Sequence, residues 1–255
     1  MKTFIERLRQ GHRTHPFPKT APVLPERFRG RPVVAGGVCQ AGCKACVGAC
    51  PAEAIQVRNR RVTIDMGRCI FCADCVAVCP KGLLSFSQDH RLAARTRDGL
   101  LVSANSEVEL CAALERETQR LFRRSLRLRE VSAGGCNACE ADTNVLNTLV
   151  FDLGRFGIQF VASPRHADGL LITGPVTENM RLAVQKTYDA VPSPKIVIAV
   201  GACAISGGIY RTNPEAGTGA DALLPVDLYV PGCPPHPYTI LDGLLRLLAR
   251  MPNGK

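Results

Sequence analysis

Twelve of the thirteen cysteines in this chain fall into three sets of four, and Cys111 is the one left over. The first set is closed by Pro51 and the second by Pro80, whereas the third is spread over the second half of the chain. Four thiolates are the ligand set of a 4Fe–4S cluster. The count therefore predicts three clusters, with ligands from Cys39, Cys43, Cys46 and Cys50, from Cys69, Cys72, Cys75 and Cys79, and from Cys136, Cys139, Cys203 and Cys233.

The second set has the spacing Cys-x2-Cys-x2-Cys-x3-Cys-Pro, which resembles that of bacterial two-cluster ferredoxins. In those proteins the fourth cysteine of each run ligates the other cluster. The first run departs from the pattern, since three residues separate Cys39 from Cys43, and we expect Gly42 to absorb the extra residue in a loop. The resemblance implies crossed ligand sets, namely Cys39, Cys43, Cys46 and Cys79 for one cluster and Cys69, Cys72, Cys75 and Cys50 for the other.

Other cysteine chemistries explain this pattern less well. Disulfide frameworks are typical of short secreted chains, whereas this chain has 255 residues. Zinc suits Cys-x2-Cys pairs and the net charge of +10 suits nucleic acid, so a zinc protein that binds nucleic acid is a rival interpretation. Cys39-x3-Cys43-x2-Cys46 alone resembles the triad of radical S-adenosylmethionine enzymes, but the following Cys50-Pro51 and the second run disfavour that interpretation.

The composition indicates about two domains in a reducing compartment. No stretch approaches the ~20 apolar residues that a membrane span needs, and Met1–Gln10 has no apolar signal-peptide core. Residues 1–31 form a basic, proline-rich arm with eight Lys or Arg against two Glu. We expect this arm to be either a solvated tail or a segment laid across a partner subunit or an acidic membrane surface.

Three further segments follow the arm. Residues 32–88 contain the two cysteine runs and short apolar alternations, which predict an α+β domain of the bacterial two-cluster ferredoxin type. Residues 89–124 are expected to form a helical linker, in which Ser106 caps a helix running to Arg124 and Cys111 packs in the core. Residues 125–255 alternate strands and helices, which predicts an α/β domain with a mostly parallel sheet.

The expected elements of this last domain place its cysteines after strand ends. The carboxyl ends of parallel strands open on one edge of a sheet, where α/β folds bind ligands, so distant cysteines can meet there. Predicted strands are Leu126–Val131, Gln159–Ala162, Gly169–Thr173, Lys195–Val200 and Val226–Val230, and predicted helices are Asp142–Arg155, Thr177–Ala190 and Tyr238–Arg250.

Four motifs in the second half carry a family resemblance: residues 135–140 (GCNACE), 163–168 (SPRHAD), 201–208 (GACAISGG) and 231–235 (PGCPP). Together they resemble the small subunit of membrane-associated nickel–iron hydrogenases of the formate hydrogenlyase type, and the homologous 20 kDa subunit of respiratory complex I. The first half resembles the two-cluster ferredoxin subunit of the same assemblies. The resemblance implies a flavodoxin-like α/β domain fused to a ferredoxin domain.

The resemblance also implies an electron-transfer subunit with three 4Fe–4S clusters and no complete active site of its own. Electrons would pass to the nickel–iron site of a hydrogenase large subunit, where protons are reduced. The implied partners are that large subunit, membrane subunits and a ferredoxin or formate dehydrogenase-type donor, with no nucleic acid. The implied location is cytoplasmic, peripheral on the inner face of the membrane. A complex I-like or nickel-free relative and a free-standing ferredoxin-like carrier are alternatives.

Three polar residues near the motifs have open roles. Asp142 stands where relatives place Glu, one methylene longer. His166 either forms an ion-paired loop with Arg165 and Asp168, or contacts the large subunit near the third cluster and relays protons. Glu140, directly after a ligand cysteine, has the same two possibilities.

Overall fold

The computed structural model describes residues 2–11, 13–104, 106, 110–122 and 125–251. The chain begins with helix α1 (Lys2–Gln10), none of whose residues is buried. The segment after it is not a solvated tail, because Phe17 is only 5% exposed and packs against the ring of Tyr238. Arg155 donates hydrogen bonds to the backbone carbonyls of His15 and Phe17. Part of the basic arm therefore lies across this chain's own α/β domain.

The ferredoxin-like part consists of two small antiparallel sheets around two short helices. Strand β1 pairs with β4, and β2, β3 and β5 form the second sheet in that order. Each helix carries the third cysteine of its run, which fits the expected two-fold repeated unit. The elements are β1 (Pro32–Val34), α2 (Ala45–Gly48), β2 (Ile55–Arg58), β3 (Arg61–Asp65), α3 (Asp74–Ala77), β4 (Leu84–Phe86) and β5 (Leu101–Ser103).

The linker expected to be helical is largely extended. Strand β5 lies within it, and the Ser106 hydroxyl closes the turn after that strand by bonding the backbone of Ser103. The helix is confined to α4 (Arg116–Phe122), because the preceding segment is pinned by a backbone hydrogen bond from Leu114 to Leu247. Val108 and Arg124, assigned to the same helix from the sequence, lie outside the described residues.

The second half is a five-stranded parallel sheet flanked by helices. The strand order is β10-β9-β8-β6-β7, so the first strand of the domain lies between its second and third, as in flavodoxin-like folds. The fold class expected from the sequence is confirmed. The elements are β6 (Leu126–Ser132), α5 (Ala138–Val145), β7 (Ile158–Phe160), β8 (Gly169–Thr173), α6 (Glu178–Ala190), β9 (Ile196–Val200), α7 (Ala202–Ser206), β10 (Leu228–Val230) and α8 (Pro237–Leu247).

One helix of this domain is placed differently from the prediction. The structure has α5 at Ala138–Val145 instead of Asp142–Arg155, followed by turns and a short 3-10 helix at Leu153–Phe156. Asp152 adopts a left-handed backbone (φ 48°), which a continuous α-helix does not allow. Thr177 does occupy the N-cap position of α6, but its side chain makes no capping hydrogen bond.

The two halves are joined by hydrogen bonds as well as by the linker. Ala94 and Tyr229 exchange backbone hydrogen bonds of 3.0 and 2.9 Å, which cover the β10 edge of the parallel sheet. The hydroxyl of Ser206 donates a 2.9 Å hydrogen bond to the carbonyl of Gly67. The ferredoxin-like half is thereby held against the carboxyl edge of the sheet.

Candidate metal centres

The structure brings cysteines of both runs together at a first site. Burial raises the pKa of the Cys46 thiol, and the thiols of Cys39, Cys79 and Cys43 raise it further by repulsion. Such repulsion acts between neighbours, so these four sulfurs share one place. Cys79 comes from the second run, which is the crossed arrangement that the ferredoxin resemblance implies.

A second site contains the complementary four cysteines. Burial raises the pKa of Cys69 to about 12, and Cys50, Cys75 and Cys72 each contribute repulsion. All four line one enclosed apolar cavity together with Phe86 and neighbouring aliphatic side chains. The pKa of Cys75 is also raised by Cys46, which places the two sites side by side.

Backbone amides point at several of these sulfurs. Ala54 N–H donates to Cys50 Sγ at 3.3 Å, and Leu83 N–H donates to Cys79 Sγ at 3.4 Å. Phe71 N–H donates to Cys69 Sγ at 3.3 Å from a left-handed backbone (φ 57°) that wraps the loop around the site. Hydrogen bonds to cluster sulfurs are one of the means by which a protein sets reduction potential.

The extra residue of the first run sits in a turn. Gly42 has φ 73°, and a Cβ added there would meet no heavy atom within 4 Å, while Cys43 N–H bonds the carbonyl of Gln40 at 3.2 Å. The glycine therefore takes the left-handed conformation that lets the chain return Cys43 to the site. This is the loop that the sequence predicts.

The third set converges at the carboxyl edge of the parallel sheet. Burial raises the pKa of Cys139, and Cys203, Cys233 and Cys136 raise it further. Gly201 (φ 93°) allows this approach, because a Cβ there would lie 2.5 Å from Cys139 Sγ. Cys136 and Cys233 are exposed whereas the other two are partly covered, so the site opens to the surface on one side.

Each set thus offers four thiols and no competing ligand type, a donor set that fits a 4Fe–4S cluster. Within the described ranges, no three His, Cys, Asp or Glu side chains are spaced to hold a single metal ion. Cys111 stands apart from all three sets. It is 8% exposed in the apolar cluster that contains Leu114 and Phe122, and burial raises its pKa to about 12, in keeping with the core role expected for it.

One cleft connects the second and third sites. Cys72 of the second site and Cys233 of the third both line a cleft of about 370 Å³ between the two halves of the chain. Arg29 closes one wall by donating a 3.0 Å hydrogen bond to the carbonyl of Phe71. Asp142 lines the same cleft, and burial raises its pKa.

Glu140 faces the interior of the domain. Its side chain is 7% exposed, and its Oε1 accepts hydrogen bonds from Ser132 Oγ at 2.5 Å and Thr173 Oγ1 at 2.6 Å. Glu130 lies nearby, and burial and the Glu140 charge raise its pKa to about 7. Sequence reasoning missed this polar group, because its members come from β6, α5 and β8 and share no motif.

His166 lies away from the third site. It precedes β8 at the amino edge of the sheet and is exposed, whereas the cysteines follow carboxyl ends of strands. The expected ion-paired loop is absent from the described residues: the carboxylate of Asp168 instead accepts the backbone N–H of Arg127 at 2.7 Å. The placement also argues against a contact beside the third cluster.

Comparison with known proteins agrees with this geometry. Residues 136–247 match the family described as NADH ubiquinone oxidoreductase, 20 kDa subunit, and residues 38–84 match a 4Fe-4S dicluster domain. The probable membrane-bound hydrogenase subunit mbhJ of Pyrococcus furiosus is 44% identical over 128 residues, which cover 49% of this chain and 77% of that protein. The chain belongs to this 20 kDa subunit family.

Members of the family come from more than one kind of complex. Formate hydrogenlyase subunit 7 of Escherichia coli is 40% identical over 157 residues, covering 62% of this chain and 61% of that protein. An NADH-quinone oxidoreductase subunit of Citrifermentans bemidjiense is 44% identical over 121 residues, covering 48% and 71%. The chain is an iron–sulfur electron-transfer subunit of this hydrogenase and complex I type. Over its described residues, no helix has the length and apolarity needed to cross a membrane.

Proposed function

We propose that this chain carries electrons through three 4Fe–4S clusters to the nickel–iron site of a hydrogenase-type large subunit, where protons are reduced, as in formate hydrogenlyase. The observation that carries the proposal is the convergence of all twelve cysteines of the three sets into three four-thiol sites. Each cluster, when bound, supplies one-electron redox chemistry. The protein residues hold the clusters, exclude water and donate hydrogen bonds to sulfur.

The geometry supports one order for the electron path. The first site neighbours the second through Cys46 and Cys75, and the second neighbours the third across the cleft lined by Cys72 and Cys233. Electrons would enter at the first site, which is farthest along this series from the third. They would leave at the third site, where exposed Cys136 and Cys233 mark the face for the large subunit.

The spacing of the third set favours a hydrogenase partner over a quinone-reducing one. Cys136-x2-Cys139 is the hydrogenase-type arrangement, whereas the complex I subunit carries adjacent cysteines. A complex I-like or nickel-free relative is the second candidate, supported by the similarity to the NADH-quinone oxidoreductase subunit of Citrifermentans bemidjiense. In either case we propose membrane subunits as further partners, with the chain peripheral on the inner face of the cytoplasmic membrane.

The test combines metal analysis with one ligand variant in the purified complex. We expect about twelve iron atoms and negligible zinc per chain, on the rule of four irons per four-cysteine site, and nickel in the large subunit. Cys233→Ser should abolish hydrogen production while the ferredoxin-type clusters still reduce, and Cys111→Ser should leave both unchanged. About eight irons per chain would remove the third site, and a fully metallated complex without nickel or hydrogen evolution would favour the second candidate.

A further inference from the structure

The surface around the first site is basic and has no unengaged acid. Lys44, Arg58, Arg60, Arg61 and Lys81 are all exposed there. Across residues 35–62 and 77–83, Glu53 is the one acidic residue, and it is already paired with Arg211 of the α/β domain. We call the surface formed by these five cations and the exposed Val38 and Val78 the entry face.

Two of the arginines are placed where they cost stability. Arg58 and Arg61 are direct cross-strand partners in the β2–β3 hairpin. Like charges directly opposite one another in an antiparallel pair are destabilising. Within the described chain, no acidic residue forms an ion pair with either of them. The pair therefore keeps its positive field free for something outside this chain.

The turn of the same hairpin ties that charge to the first site. Arg60 has a left-handed backbone (φ 63°), a position in a two-residue hairpin turn that normally favours Gly. Its Nε donates a 2.9 Å hydrogen bond to the carbonyl of Cys39, and Cys39 N–H returns a 2.8 Å bond to the carbonyl of Arg60. Lys81 Nζ donates a 2.9 Å bond to the carbonyl of Val38 on the other side. Cations thus frame the cysteine loop.

We infer that the entry face docks an acidic electron-carrier protein, which gives up one electron and leaves oxidised as the first site is reduced. This rests on the proposed function, in which electrons enter at the first site. Complementary charge steers diffusing partners and raises association rates by 10–10³, an effect that salt removes. Val38 and Val78 are 42% and 41% exposed, which provides a small apolar contact at the centre. These small side chains offer no bulky group for insertion into a lipid surface.

The experiment measures reduction of the complete complex by a reduced, acidic two-cluster ferredoxin in stopped flow. Arg58→Glu/Arg61→Glu should lower the second-order rate constant about tenfold or more at low salt, and the loss should shrink at high salt because charges are screened. Arg58→Gln/Arg61→Gln should fall between this variant and wild type. Lys186→Glu makes a like change on the exposed side of α6 and should leave the rate unaltered.

A small-molecule reductant separates docking from cluster integrity. Dithionite should reduce the clusters of every variant at the wild-type rate, and their electron paramagnetic resonance signals should be unchanged. If dithionite reduces no cluster, or no hydrogen forms, the proposed function fails. If dithionite works but the Glu pair leaves the ferredoxin rate and its salt dependence as in wild type, the docking inference is wrong. The same holds if the pair abolishes binding to anionic vesicles while the ferredoxin rate stays the same.

Discussion

The hydroxyl of Thr173, at the carboxyl end of β8, donates a 2.6 Å hydrogen bond to Oε1 of Glu140 at the start of α5. Both side chains are buried, and the bond ties the segment that carries Cys139 to the central strand of the sheet. Glu140 is therefore held by its own domain and is not presented to a partner.

Replacing Thr173 by Val should lower the free energy of unfolding by roughly 1–3 kcal/mol, because a buried acceptor loses a donor of similar shape. Thr187→Val is the matched control, since the Thr187 hydroxyl bonds a backbone carbonyl on the surface of α6 and its loss should cost about 0.5 kcal/mol or less. Anaerobic urea unfolding followed by circular dichroism measures both. Equal effects would show that the bond to Glu140 has no special weight.

Two glycine substitutions should separate steric contact from backbone strain. Gly201→Ala places a Cβ 2.5 Å from Cys139 Sγ, whereas Gly42→Ala meets nothing within 4 Å. Both positions have positive φ, so both changes carry a similar strain of about 1–2 kcal/mol. We expect Gly201→Ala to retain about eight irons per chain and Gly42→Ala about twelve, on four irons per site. Loss of iron from both would mean that strain alone disrupts the sites.

The crossed assignment predicts which cysteine variants resemble one another. Cys79→Ser should remove or convert the same cluster as Cys39→Ser, although the two residues belong to different runs, and the third cluster should keep its signal. Cys50→Ser should in turn match Cys72→Ser. Electron paramagnetic resonance of the reduced variants distinguishes the two clusters. If Cys79→Ser instead matches Cys72→Ser, each run ligates its own cluster.

Glu130 should make stability depend on pH. Burial, and then the Glu140 charge, raise the pKa of Glu130 from 4.5 to about 7. The folded protein then binds this proton more tightly than the unfolded chain, so the contribution of Glu130 to stability falls as pH rises from about 4.5 to about 7. The stability of Glu130→Gln relative to wild type should therefore increase over that range. Urea midpoints at pH 5 and 7.5 test this, with exposed Glu178→Gln as control; parallel profiles would contradict it.

Patterns that depend on neighbouring residues were predictable from the sequence. The apolar run Gly169–Thr173 is a strand at the predicted bounds because every residue in it is buried. The pairing of Cys79 with the first run followed from the ferredoxin spacing, and the structure brings those sulfurs together.

Features that depend on tertiary contacts were not predictable. Helix α5 starts four residues earlier than expected, since Asn137 takes a left-handed backbone that begins it at Ala138. Phe17 is buried only because Tyr238, far along the chain, supplies the packing surface. The group of Glu130, Glu140 and Thr173 exists only once β6 and β8 are paired.

The backbone bonds between Ala94 and Tyr229 bear on how this protein behaves on dilution. In a complex with separate ferredoxin and 20 kDa subunits, contact between their redox sites is a bimolecular equilibrium. Here both halves share one chain and one hydrogen-bonded edge, so their encounter is intramolecular, with an effective concentration set by the chain itself. Electron exchange between the second and third sites should therefore be first order, with a rate that does not change with protein concentration.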